Sequence, residues 1–158
     1  MSASLAGLST LGVTLGYGVE TTAGTKPATF TQLDRVVSIG GISQDVENLD
    51  ASCLEDLATK YIAGRADSSG KWEFVVNLTP ETTEQWNTLI SAYNTGMEAG
   101  KQTWFEVIVP SMTNAFFVVA QPPQKLPLPE FGANTVLTGT ISLTIVEYKG
   151  EDTKVAFS

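Results

Sequence analysis

Chemistry at a protein site needs groups that take up, release or hold charge, and here the supply is short. The 158 residues contain no histidine and one cysteine, Cys53. A serine or threonine nucleophile is usually activated by an imidazole, so the common hydrolytic triad cannot be assembled. Cys53 can form no disulfide within the chain, and a Cys/His metal centre lacks its ligands. It reads as a small buried or half-buried residue. Carboxylates are more plentiful. Asp45, Glu47 and Asp50 are spaced D-x-E-x-x-D, which could offer oxygens to a calcium ion, but the EF-hand pattern and its central glycine are missing. Paired acids could also do acid–base work on a glycoside, with Asp45, Asp50, Glu73 and Glu106 as candidates. The early glycines, Gly7, Gly12, Gly16, Gly18 and Gly24, do not form the G-x-G-x-x-G loop that opens a phosphate-binding helix. We expect no metal, no cofactor and no enzyme.

Charge points the same way. The net charge is −8, which argues against tight binding to nucleic-acid phosphates, a task for clustered Lys and Arg. Like charge repels, so the same balance suits a surface that nucleic acid passes without sticking. Charged residues make up 16% of the chain, below the usual ~25%, while Thr, Ser and Gly abound. This suits a β-rich protein with extensive contact surface. The length fits one domain. No positive residue precedes Lys26, a poor start for a signal peptide, and no run nears the ~20 apolar residues of a membrane span. A soluble protein made in a cytosol is expected.

The elements follow from periodicity. Residues 1–12 read as a flexible arm, and Val13, Leu15 and Tyr17 alternate with Thr14 and Gly16 as a first strand. Phe30 to Ile39 reads as a second strand, ended by Gly40-Gly41. Residues 42–70 carry Asp45, Glu47, Asp50, Glu55 and Asp56 among scattered leucines and read as a long loop, with a short helix possible at Ala51–Tyr61. A loop that long is usually functional, and its leucines suit contact with a partner. Its contact residues are expected to be Asp45, Val46, Glu47, Leu49, Asp50 and Leu54. Trp72 to Leu78 is a strand with Trp72, Phe74, Val76 and Leu78 on one face. Thr79-Pro80-Glu81 then supplies an N-cap, a first-turn proline and a first-turn carboxylate. Trp86, Leu89, Ile90 and Tyr93 repeat at helical spacing, so a helix over about 80–95 lays one apolar stripe on the core, with Gly96 as its stop.

Strands at Thr103–Val109 and Ala115–Ala120 follow, then an extended connection punctuated by Pro122, Pro123, Pro127 and Pro129. A long strand comes last, from Val136 to Val146. Leu137, Gly139, Ile141, Leu143 and Ile145 form its apolar face, and Thr138, Thr140, Ser142 and Thr144 its hydroxyl face. Without lysine or proline to blunt it, such a strand needs neighbours along its whole length. Residues 149–158 read as a polar tail. The sum is a mainly β fold over 13–148, a β-sandwich or open barrel with one packed helix.

The order of these blocks resembles the tail tube (major tail) proteins of long-tailed bacteriophages. Thr25–Phe30 with Leu33–Ile39 is similar to that family's entry into its second strand. Asp45-Val46 and Leu49-Asp50-Ala51-Ser52 resemble its loop, Tyr61-Ile62-Ala63-Gly64 the step closing that loop, and Gly70–Leu78 its most recognisable block. Cys53 departs from the pattern, where Thr, Ser or a charge is commoner. The resemblance implies hexameric rings whose inner sheets join into one β-barrel, stacked into a tube through which DNA is ejected without specific binding. It also implies assembly in the host cytoplasm, a place in the virion, and tape-measure, tail-tip and tail-terminator proteins as partners. Glu73 and Glu106 become candidate lumen-facing acids, Asp45–Leu54 an inter-ring contact, and Leu137, Ile141, Leu143 and Ile145 the barrel strand. The same fold could serve the inner tube of a contractile tail or secretion apparatus. From another class comes a carbohydrate- or surface-binding β-sandwich, which would display exposed aromatic platforms.

Overall fold

The computed structural model describes residues 12–42, 45–50, 61–67, 70–129, 131–133 and 135–157. In chain order the elements are β1 (Thr14–Val19), β2 (Thr31–Leu33), β3 (Val36–Ile39), β4 (Asp45–Asp50), β5 (Tyr61–Asp67), β6 (Lys71–Asn77), α1 (Pro80–Glu98), β7 (Thr103–Ile108), β8 (Asn114–Gln121) and β9 (Thr138–Thr153). Seven strands form one antiparallel sheet in the order β2-β1-β7-β8-β9-β6-β3, and β4 pairs with β5 apart from it. The fold is mainly β, with one helix among the described residues, as the periodicity predicts.

β9 carries the architecture. Residues Thr138–Thr144 pair with β6, and residues Thr144–Thr153 pair with β8. Its first half alternates as expected. Ile141 and Leu143 are buried opposite Phe74 and Trp72, while Thr140 and Ser142 face outward opposite Val75 and Glu73. The strand then runs on past Val146 to Thr153, so residues 149–153 are strand where a tail is expected. The reason is an extra residue at each of two places. Ala120 and Val119 pair with Ile145 and Glu147, and Val118 and Phe117 pair with Tyr148 and Gly150, leaving Val146 and Lys149 as bulges. A bulge breaks the two-residue period and bends the strand. Ile145 and Tyr148 therefore share a core-facing side although they lie three positions apart. Leu137, expected within the strand, lies just before it and is partly exposed; its carbonyl accepts the Leu78 N–H at 3.0 Å.

The helix lays its stripe where the spacing puts it. Trp86, Leu89 and Ile90 are buried with Phe74, Trp72, Leu15 and Phe105, and Tyr93 is half-buried. Thr79 caps it. Its hydroxyl accepts the Thr82 N–H, and Thr82 Oγ1 accepts the Thr79 N–H at 2.8 Å, so threonine fills the capping-box position usually held by Glu or Gln. The end differs from expectation. Gly96 lies inside the helix, where an added Cβ would sit 2.8 Å from Val19 Cγ1. Glycine is there for close packing on β1, and the stop comes later at Gly100, φ 74°.

Two further expectations change. The predicted strand Phe30–Ile39 is broken into β2 and β3 at Arg35, which takes φ 60°. The chain thereby crosses from one edge of the sheet to the other. Gln85 of α1 braces this crossover, accepting the Asp34 N–H at 3.0 Å and donating to Asp34 Oδ2 at 2.7 Å. The long loop contains the antiparallel pair β4–β5, with a register shift between Val46 and Asn48. The possible helix at Ala51–Tyr61 falls outside the described residues up to Lys60, and Tyr61 opens β5.

β7 and β8 are covered on both faces. One face joins the helix core; the other carries Trp104, Ala115, Phe117 and Val119, over which Phe30, Val155 and Phe157 pack. Because Ile141 is fully buried opposite Phe74 in the half of β9 that pairs with β6, Ile141→Ala is expected to cost about 2–5 kcal/mol. Ile141→Asp should prevent folding altogether. Urea titration followed by circular dichroism checks both, and a folded Asp variant would reverse the assignment of β9's faces.

Candidate assembly surface

The outward face of β6 and β9 is built by their register. Lys71, Glu73, Val75 and Asn77 stand directly opposite Thr144, Ser142, Thr140 and Thr138. The face is thus a strip of hydroxyls and one amide with a single charge pair. Lys71 Nζ lies 2.9 Å from Glu73 Oε1, and Ser142 Oγ donates to the same oxygen at 3.1 Å. The Lys71 hydrogen bond and then Ser142 hold the Glu73 carboxyl below its ordinary range. The strip therefore carries little net charge at neutral pH.

Its edges are open. Among the described residues, no strand pairs with Val146–Thr153 on the β6 side, and none pairs with Thr138–Leu143 on the β8 side. An unpaired run of backbone N–H and C=O groups is a template for another strand. Apolar side chains also project nearby in sequence. Leu128, Phe131 and Val136, in the proline-rich connection before β9, are 86%, 68% and 74% exposed. Two shallow apolar clefts of about 240 and 480 Å³ share Ile39 and Val107 in their walls. Burying such groups against a partner is favourable by ~25 cal/mol per Å².

The two acids expected at a lumen part company. Glu73 is exposed on the hydroxyl strip. Glu106 is not a surface acid at all: its exposure is 0%, because alternation on β7 aims it into the second core between Trp104 and Ile108. Its Oε2 accepts the Val155 N–H at 2.8 Å. Of the expected contact residues, Asp45, Val46, Glu47, Leu49 and Asp50 lie on β4, and Leu54 falls outside the described residues, as does Cys53, expected to be buried or half-buried. Of the residues expected on a barrel strand, Ile141, Leu143 and Ile145 are buried, the side the alternation predicts for them. No group of three or more His, Cys, Asp or Glu able to hold a metal occurs among the described residues. Trp72, Trp86 and Trp104 are all buried, so none offers the flat platform a sugar-binding face would use.

One important acid has no signal in the sequence. Glu20, in the expected loop after β1, is buried, with Oε1 accepting the Gln102 N–H and Oε2 accepting Trp104 Nε1–H, each at 2.8 Å. Burial pushes its carboxyl up, but these donors, the Gly24 N–H and the Lys149 charge together hold it below the ordinary range. It acts as a clasp.

No protein-family model and no curated protein matches the chain. Among solved structures it is similar to a chain in the six-fold symmetrised cryo-EM structure of the anti-feeding prophage (AFP) baseplate. The identity is 13% and the TM-score 0.48, over 94% of this chain and 96% of that one. This is a distant likeness of fold. No described helix is long and apolar enough to cross a membrane.

Glu20→Ala is expected to strand the Trp104 and Gln102 N–H donors and cost about 1–3 kcal/mol in urea unfolding. The wild-type margin should be present above the ordinary carboxylate pKa and vanish as pH falls through Glu20's lowered value, since its folded form prefers the ionised state.

Proposed function

We propose that this chain is a structural subunit that assembles with copies of itself into stacked hexameric rings, the tube of a phage tail. The observation that carries this reading is β9, sixteen residues long, with each half lacking a partner strand on one side among the described residues. A strand left open in this way satisfies its backbone when a neighbouring copy supplies the missing strand. In a closed ring every edge is paired, and no template for aggregation remains. The block order that resembles tail tube proteins supports the same conclusion.

On this reading the strip of Thr138, Thr140, Ser142 and Thr144 faces the channel, with Glu73 beside it. Hydroxyls make short-lived, interchangeable hydrogen bonds, and a net charge of −8 repels phosphates. DNA then slides without being held. The β4–β5 hairpin, paired only with itself among the described residues, reaches toward the next ring with Asp45, Val46, Glu47, Leu49 and Asp50. Leu54, beyond the described residues, continues that contact. Tape-measure, tail-tip and tail-terminator proteins would meet the first and last rings, and assembly would take place in the host cytoplasm.

Electron microscopy of the concentrated protein tests this, with hollow tubes of stacked six-fold rings as the expected result. Gly40 N–H donates to Glu73 O at 2.7 Å, so β3 and β6 lie side by side where the hairpin leaves the sheet. Residues 43–69 can therefore be replaced by a short Gly-Ser turn. That variant should keep the wild-type urea midpoint but form no tubes. Tubes from the variant would remove the hairpin from assembly. A wild-type chain that stays monomeric at millimolar concentration and binds glycans would overturn the subunit reading.

A further inference from the structure

We infer that residues 154–157 are a releasable strap, latched over the β1–β7–β8 face by Glu106, and that one proton on that carboxyl sets how firmly it holds. The inference is independent of tube assembly. The receiving face is shaped for the strap. β1 presents Gly16 there, and a Cβ at that position would lie 2.2 Å from the Phe157 ring. Beside it, Gly18 leaves room for the Thr29 carbonyl, which would stand 2.6 Å from an added Cβ. Phe157 forms an isolated parallel bridge with Phe30, and Val155 and Phe157 close over Trp104, Ala115, Phe117 and Val119. The strap belongs to no strand of its own, so few backbone bonds hold it.

One of those few comes from Glu106. Its Oε2 takes the Val155 N–H at 2.8 Å, while Oε1 is buried with no hydrogen-bond partner among the described residues. The directly paired residues on the flanking strands, Gly16 on β1 and Phe117 on β8, bring no charge. Lys26 faces the site from the loop after β1, and Lys154 from the strap itself. Lys26 is already engaged. Its ammonium donates to Thr153 O at 2.7 Å, lies 3.4 Å from Asp152 Oδ2, and sits 4.1 Å above the Phe117 ring. Further along the same face, Glu20 is bound by Trp104 and Gln102, and Lys149 lies over the Trp104 ring.

The balance at Glu106 favours its neutral form. Burial pushes its carboxyl up, and the Val155 N–H, Lys26 and Lys154 pull it back only in part. With the strap lifted, water reaches the carboxyl and its ordinary value returns. The closed state therefore binds the proton more tightly than the open one. Its hold is complete below the ordinary carboxylate value of 4.5 and weakens as pH rises through the raised value. Above that raised value an ionised carboxylate with one bare oxygen lies beneath the strap. Lifting residues 154–157 solvates that oxygen and uncovers Phe30, Trp104 and Phe117.

Hydrogen exchange read by mass spectrometry on the full chain tests this, using the peptide that spans residues 151–158. After correction for intrinsic rates, its protection should be lower at pH 8 than at pH 4, below the ordinary carboxylate value of 4.5, while β6 peptides hold theirs. Glu106→Gln should keep the strap protected at both pH values. Gly16→Ala should expel Phe157 and lower strap protection at every pH. Wild-type protection that ignores pH, or an unchanged pH response in Glu106→Gln, would overturn the latch. A carbon-13 titration of the Glu106 carboxyl needs no variant, and a midpoint at or below 4.5 would overturn it equally.

Discussion

β9 pairs with β6 through its first half and with β8 through its second, and those two strands belong to different halves of the fold. On one side stand β3 and β6; on the other, β8, β7, β1 and β2. Thr144 alone is paired on both sides, to Lys71 and to Gln121. The helix core can close only because this strand keeps Ile141, Leu143, Ile145 and Tyr148 on one side while it bends. The bulges at Val146 and Lys149 permit that bend. Among the described residues the same offset leaves each half of β9 open on one flank, so the feature that completes the core also leaves the sheet incomplete.

The β7–β8 region shows how environment separates identical chemistry. Glu20 and Glu106 are both buried carboxyls on the second core, yet they are pushed in opposite directions. Glu20 has a donor on each oxygen and is held ionised. Glu106 has a donor on one oxygen only and is pushed toward the neutral form. Counting N–H groups separates the two better than counting nearby lysines, since Lys149 and Lys26 each lie within reach of one of them.

Much of the fold was legible because strict alternation and helical spacing leave few choices. Trp72, Phe74 and Val76 on β6, Trp86, Leu89 and Ile90 on α1, and the first half of β9 follow their periods without exception. What escaped was whatever breaks a period. A bulge shifts the register by one residue, so the strand read as ending at Val146 and Lys149 as the start of a tail. Arg35 at positive φ splits an apparently continuous strand, because residue type gives little warning of a left-handed turn at arginine. Gly96 read as a stop because glycine usually is one, although here it makes room for Val19. For the site, Glu106 was placed on the correct strand but assigned an outward face, since a carboxylate in alternation is normally the solvent side. Strands covered on both faces defeat that rule, and only the packing of Val155 and Phe157 reveals the second cover.

The order of synthesis adds one more constraint. β9 is made after every strand it pairs with, since β6 and β8 end at Asn77 and Gln121 while β9 begins at Thr138. Until it emerges, β6 and β8 have no common neighbour, and each waits with an edge exposed. Pairings that link such distant residues are slow to form because the chain between them must be ordered first. Completion of the sheet thus waits until β9 has been synthesised. Among the described residues, the open edges of β9 arise only as the sheet itself is completed.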